Sequence, residues 1–232
     1  VAGVVKGTLG IGFPTTAVSL LAQVTDARTA ISLVVIPVVV TNAWQVWRCR
    51  AVRGVFRRVW ILLVVMLVFI GLFSQMASVV PVALLTGILG LIVTVYAATS
   101  LYRPMFSIPD RYDHLAQIVT GVSSGVMGGI TGVWAPPILI YLNARNLQPL
   151  VFVATTGLLL FMGSTVLLAG YVNAGLIGTS TALLSCALLL PSLLGFSAGE
   201  LIRHRMSARR FERALLWFFL IMGLNLVRRA VF

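Results

Sequence analysis

Two long uncharged stretches limit what this chain can fold into more than any other feature. Val59 to Tyr102 contains no Lys, Arg, Asp, Glu or His, and neither does Asn146 to Gly199. About 20 apolar residues span the hydrocarbon core of a bilayer, so each stretch holds two crossings. Thr29 to Trp47 supplies another, and Phe211 to Arg229 a last one, with Glu212, Arg213, Arg228 and Arg229 at or near the interfaces, where long basic side chains snorkel. At 59% hydrophobic and 9% charged residues, with a mean hydropathy of +1.06, the chain has too little polar surface to cover a soluble globule. It opens on Val1 rather than Met, which leaves room for upstream residues.

The net charge of +12 is concentrated in two short loops, Arg48, Arg50, Arg53, Arg57 and Arg58 in one, and Arg203, Arg205, Arg209, Arg210 and Arg213 in the other. Short basic loops beside spans mark the cytoplasmic side and attract anionic lipid headgroups; they are not a nucleic-acid footprint. With both loops inside, Leu115 to Ala144 becomes the informative segment. As one helix it would be about 45 Å long, beyond a bilayer core, and glycines and Pro136-Pro137 interrupt it. A single crossing there would put the second basic loop outside. A re-entrant hairpin that enters from the cytoplasm and returns to it keeps that loop inside.

The same pattern recurs at the start of the chain. Gly3-Val-Val-Lys-Gly7-Thr-Leu-Gly10-Ile-Gly12-Phe-Pro14 parallels Gly121-Val-Ser-Ser-Gly125-Val-Met-Gly128-Gly129-Ile-Thr-Gly132 with its following prolines. The expected plan is all-α and polytopic, with two repeats. Residues 1–102 hold a hairpin (1–22) and spans near 29–47, 59–74 and 79–102; 103–114 is a cytoplasmic linker; 115–232 holds a hairpin (115–144) and spans near 150–171, 176–199 and 211–229. Three crossings per repeat invert the second copy, as in many secondary transporters. Arg228-Arg229 falls outside in this plan, against the charge rule, and a plain eight-crossing arrangement stays open beside it.

Asp26-Ala-Arg-Thr-Ala30-Ile-Ser32 has its counterpart in Leu150-Val-Phe-Val-Ala154-Thr-Thr156, and Thr41 falls opposite Thr165. With the doubled glycine hairpins, and with Ile36-Pro37-Val-Val-Val-Thr41-Asn42-Ala-Trp44-Gln45, the whole chain resembles the sulfite exporter family of TauE/SafE type. It departs from the usual glycine-rich pattern at Phe13 and at Val133-Trp134-Ala135. The resemblance implies a permease, not an enzyme, for small sulfur-containing anions such as sulfite, thiosulfate or organosulfonates, in a bacterial inner membrane.

The residues point to an anion independently. The five acidic residues, Asp26, Asp110, Asp113, Glu200 and Glu212, all lie in loops or at span ends, so no carboxylate is left in the membrane for a coupling cation. Broken half-helices direct open backbone N–H groups and positive dipole ends inward, and glycine lets a ligand approach them. Gly10, Gly12, Gly128, Gly129 and Gly132 are the candidates, with tight helix packing as their other reading. Lys6 either neutralises the anion or snorkels. Asn42 and Gln45 share a helical face, with Thr41 adjoining, and serve either substrate oxygens or interhelical bonding; Ser123, Ser124, Thr131, Thr156 and Thr165 offer hydroxyls that serve either substrate or their own backbone. Trp134 walls or gates the pocket, or packs.

Cys49 and Cys186 form no CxxC, and no metal or cofactor site is expected. His114 and His204 lie in loops. The expected partners are a small anion and the bilayer, and a homodimer is an arrangement open to the chain. An inside-negative potential favours the exit of a monovalent anion by about 2.3 kcal/mol per 100 mV, so export needs no coupling ion. Uptake by the same fold, or a docking role for the basic loops, are the rival readings.

Overall fold

The computed structural model describes residues 1–9, 11–48, 52–102, 107–145, 147–203 and 208–231. Among them all regular structure is helical. The elements are α1 (Ala2–Leu9), α2 (Phe13–Val24), α3 (Ala27–Arg48), α4 (Val52–Ser74), α5 (Met76–Val79), α6 (Val82–Tyr102), α7 (Asp113–Thr131), α8 (Ala135–Ala144), α9 (Pro149–Asn173), α10 (Thr179–Ala187), α11 (Leu189–Arg203) and α12 (Ala208–Val231), with a short 3-10 turn at Asp110–Tyr112. Among the described residues six segments are long and apolar enough to cross a membrane: Ala27–Trp47, Phe56–Val79, Val82–Tyr102, Val151–Asn173, Thr179–Gly199 and Arg213–Val231. The chain is an all-helical, multi-pass membrane protein.

Both Gly/Pro-punctuated segments are broken helices. The first restarts at Gly12 (φ 88°), and the second stops at Gly132 (φ 69°). Both glycines take the left-handed conformation, which a side chain disfavours. Pro14 and Pro136 follow within the first turn of α2 and α8, where a missing N–H costs nothing.

The helices group into two compact units, each drawing on separated stretches of the sequence. Unit 1 comprises Val1–Pro37, Val79–Pro104 and Leu176–Phe232, and unit 2 comprises Val38–Ser78 and Met105–Gly175. In unit 1, α1 packs along α11 and α6 along α12, while α2 touches α6 and α12. In unit 2, α7 packs along α4, α4 along α9, and α8 against α7 and α9. Glycines permit these approaches. A Cβ on Gly3 would lie 2.9 Å from Phe196 N, one on Gly90 would lie 2.7 Å from Val227 N, and one on Gly129 would lie 2.9 Å from Ser74 N. Without a hydrophobic drive between helices in lipid, such backbone proximity is a main source of association.

Two helix distortions are repaired by side chains from neighbouring helices. Pro37 removes the bond that would close on the Leu33 carbonyl, and Ser185 Oγ donates to that carbonyl at 2.7 Å. At Val59 the α4 backbone leaves helical geometry, and the amide of Gln117 enters the ladder. Its Nε2 donates to Arg58 O (3.0 Å), and its Oε1 accepts from Leu62 N (3.3 Å). These are the two groups that an unbroken helix would pair with each other.

Candidate functional site

The second hairpin is built from its break outwards. With α7 ended at Thr131, Gly132 N closes on Gly128 O at 2.9 Å. The next carbonyl, Gly129 O, accepts instead from the Tyr171 hydroxyl (3.2 Å), and Val133 N donates to Thr131 Oγ1 (3.3 Å). Pro136 and Pro137 delete two of the open donors at the start of α8. The break therefore offers an anion fewer backbone N–H groups than its glycines suggest.

At the far end of the hairpin its two arms are tied together. Tyr141 OH donates to Asp113 Oδ1 (2.8 Å), Gln117 Nε2 donates to Asp113 Oδ2 (2.8 Å), and Arg145 contacts Asp113 (3.2 Å) and Asp110 (2.7 Å). The hydrogen bond to Asp110, then the Asp113 charge, raises the Arg145 pKa above its ordinary value against the opposing effect of burial. α8 thus returns alongside α7, and both arms end beside Arg58 of α4, through Gln117.

Between break and latch, one face of α9 carries the unusual chemistry. Val153, Thr156, Gly157, Leu160, Gly163 and Ser164 recur at helical spacing. Asn42 Nδ2 donates to Leu160 O (3.2 Å) and Gln45 Nε2 to Val153 O (3.5 Å). Two glycine notches seat polar side-chain ends. A Cβ on Gly157 would lie 3.3 Å from Gln45 Nε2, and one on Gly163 would lie 2.9 Å from Trp134 Nε1. Among the described residues of unit 2, four buried polar atoms have no hydrogen-bond partner: Gln45 Oε1, Thr156 Oγ1, Trp134 Nε1 and Ser124 Oγ. The first three lie along this face. Ser124 is one turn from Gly128, against which Trp134 packs, since a Cβ there would lie 2.5 Å from Trp134 Cβ. Each unpaired buried group costs about 1–3 kcal/mol, so four in one unit call for an explanation.

The other hydroxyls picked out by sequence bond locally. Thr41 donates to Val38 O, Ser123 to Val119 O, Thr131 to Met127 O and Thr165 to Met162 O. Gly129 lies against Phe73 and Ser74 of α4. Ser124, Thr156 and Gln45, with Trp134 as the pocket-wall candidate, are the sequence-selected residues that the structure leaves with unused buried polar atoms. Gly157 and Gly163 were not singled out; their spacing relative to Thr156 on α9 was the available signal.

Lys6 and Gly12 belong to unit 1, and Gly10 lies outside the described residues. Lys6 is 1% exposed on α1. Unit 1 also holds an apolar cavity of about 230 Å³ lined by Ala2, Phe13, Leu21, Val34, Leu188 and Pro191, among others.

The family model for the sulfite exporter TauE/SafE matches residues 1–226. No curated protein and no solved structure matches the chain.

Proposed function

The chain belongs to the sulfite exporter TauE/SafE family, and from that premise we propose that it is a secondary permease exporting a small sulfur-containing anion, such as sulfite or an organosulfonate, from a bacterial cytoplasm by alternating access. Membership implies a membrane transporter of sulfur anions; substrate, direction and site are the proposal. The observation that carries the site is the set of unpartnered buried atoms, Gln45 Oε1, Thr156 Oγ1, Trp134 Nε1 and Ser124 Oγ. In a dry interior such atoms are tolerated where a ligand completes them. Hydroxyl and indole donors compensate there for the backbone donors that Pro136 and Pro137 remove.

An inverted-repeat, re-entrant plan is supported by the packing within each unit. The first arm of hairpin 1 (α1) packs on α11, and the first arm of hairpin 2 (α7) packs on α4. Counted from its hairpin, each partner is the second crossing of the other sequence half. The latch at Asp113 and Arg145 brings both arms of hairpin 2 to the end of unit 2 that carries Arg57 and Arg58, as a segment entering and leaving on the basic, cytoplasmic side requires.

Flux in proteoliposomes tests this reading, with sulfite, thiosulfate, taurine and sulfoacetate compared at a set membrane potential. The expected result is potential-driven flux of at least one of them, reduced by about tenfold or more in Thr156→Val protein of unchanged folded yield. Flux of none, or flux that strictly needs a proton or sodium gradient at clamped potential, contradicts it.

A further inference from the structure

The charge on the transported species follows from what the unit 2 site lacks. Among the described residues of unit 2 the buried polar side chains are all neutral; they include Asn42, Gln45, Gln117, Ser124 and Thr156. An anion on the α9 face therefore meets hydrogen-bonding groups and no buried counter-charge among the described residues of its unit. The cost of removing an ion from water grows as the square of its charge, so a dianion meets about four times the penalty of a monoanion of the same size.

The unused atoms also specify hydrogen-bonding sense. Trp134 Nε1 only donates, the Ser124 and Thr156 hydroxyls donate or accept, and Gln45 Oε1 only accepts. The donation from Gln45 Nε2 to Val153 O fixes which end of that amide is left open. A fully deprotonated oxyanion presents acceptors alone and would set a lone pair against Gln45 Oε1. An anion with one O–H meets an acceptor with its hydroxyl and donors with its remaining oxygens.

We propose that this site takes monoanions, and that sulfite is carried in its protonated form, as the O–H form of hydrogen sulfite, whose hydroxyl donates to Gln45 Oε1. This rests on the permease reading above. Among the described side chains, the titratable and charged groups on the elements packed around this face have other assignments. Tyr141 donates to Asp113, Asp113 also holds Arg145, Tyr171 donates to Gly129 O, and Arg57, Arg58 and His114 are exposed. The pH dependence is consequently assigned to the substrate, which exchanges its second proton near neutrality.

The test is initial-rate flux of sulfite and of methanesulfonate, a monoanion at every pH used, in proteoliposomes holding the full chain. The pH is equal on both sides, total solute is fixed below saturation, and membrane potential is clamped. Sulfite flux is expected to fall about tenfold per pH unit above neutrality while methanesulfonate flux stays level. Sulfite flux that stays level or rises with pH overturns the proposal and leaves the permease reading intact. No flux of any sulfur anion at any pH overturns both. As a second arm, Gln45→Leu is expected to raise KM for sulfite about tenfold relative to KM for methanesulfonate. Equal losses for the two solutes overturn the assignment of the proton to Gln45.

Discussion

The two helical hairpins share their punctuation and differ in chemistry. Both break at a left-handed glycine, Gly12 or Gly132, and resume through proline. Hairpin 1 has a first arm of 8 residues, carries a buried lysine and leaves Ser19 Oγ alone unpartnered among its described side chains, and its second arm is finished by Arg229, which donates to the carbonyls of Ala22 (2.6 Å) and Gln23 (2.9 Å). Hairpin 2 has a first arm of 19 residues, buries no charge, leaves Ser124 and Trp134 unpartnered, and closes on the Asp113–Arg145 latch. Glycine and proline thus set where a membrane helix breaks. What the break can bind is set by side chains arriving from other helices. The same comparison accounts for the basic pair at the end of the chain: Arg229 is held by the C-terminal carbonyls of α2, where a cation is stabilised.

Substitutions can break or sharpen this comparison. The largest effect is expected where glycine ladders carry packing in both units. Gly125→Leu would drive into Phe69 and Gly199→Leu into the Val4 carbonyl, each costing about 3 kcal/mol, read as loss of folded yield in detergent. If either variant kept wild-type stability, glycine would not be holding that helix pair. Next come the backbone repairs. Gln117→Leu strands both an N–H and a C=O of α4 and should cost about 3 kcal/mol, whereas Ser185→Ala strands one carbonyl of α3 and should cost about half as much; thermal melts rank them. Asp113→Ala, which unties Arg145, Tyr141 and Gln117 at once, should cost about 2 kcal/mol, against about 1 kcal/mol for Arg229→Ala at the end of hairpin 1. Equal losses would remove the distinction between a latched and a capped hairpin.

The smallest effect separates acid from neutral pH. Asp26 caps α3 by accepting from Thr29 N at 2.9 Å. Burial pushes its pKa up, but hydrogen bonds from the Thr29 side chain and from backbone amides outweigh that and hold it below the usual carboxylate value. A folded-state pKa below the unfolded one gives stability that is present above the unfolded pKa and lost as pH falls through the folded value. Asp26→Ala should therefore cost about 1 kcal/mol at neutral pH, and the gap from wild type should shrink under acid, as paired melts would show.

Much of the fold was legible because the bilayer demands it. Val82–Tyr102 and Val151–Asn173 stand out as uncharged runs of spanning length, and Gly132 followed by Pro136-Pro137 marks a break whatever surrounds it. Partner choice was not legible. Nothing local in Gly121, Gly125 or Gly129 says that they meet α4, or that Gln117 will repair a kink at Val59, because both depend on residues more than 50 positions away. At the site, sequence picked Ser124, Thr156 and Gln45 by residue type. It could not separate them from Ser123, Thr131 and Thr165, whose hydroxyls bond their own helix; only the arrangement of carbonyls around each one does that.

The central claim is that the neutral, unpartnered atoms of unit 2 hold the substrate. Thr156→Val bears on it most directly, because it replaces an unused hydroxyl by a methyl of nearly the same shape. The measurement is the rise in Tm of purified protein on adding sulfite, for wild type and for Thr156→Val. The account predicts that the variant alone is as stable as wild type or up to about 1 kcal/mol more so, and that wild type gains stability with sulfite while the variant gains far less. An equal sulfite-dependent rise in both proteins would contradict it and place the anion elsewhere.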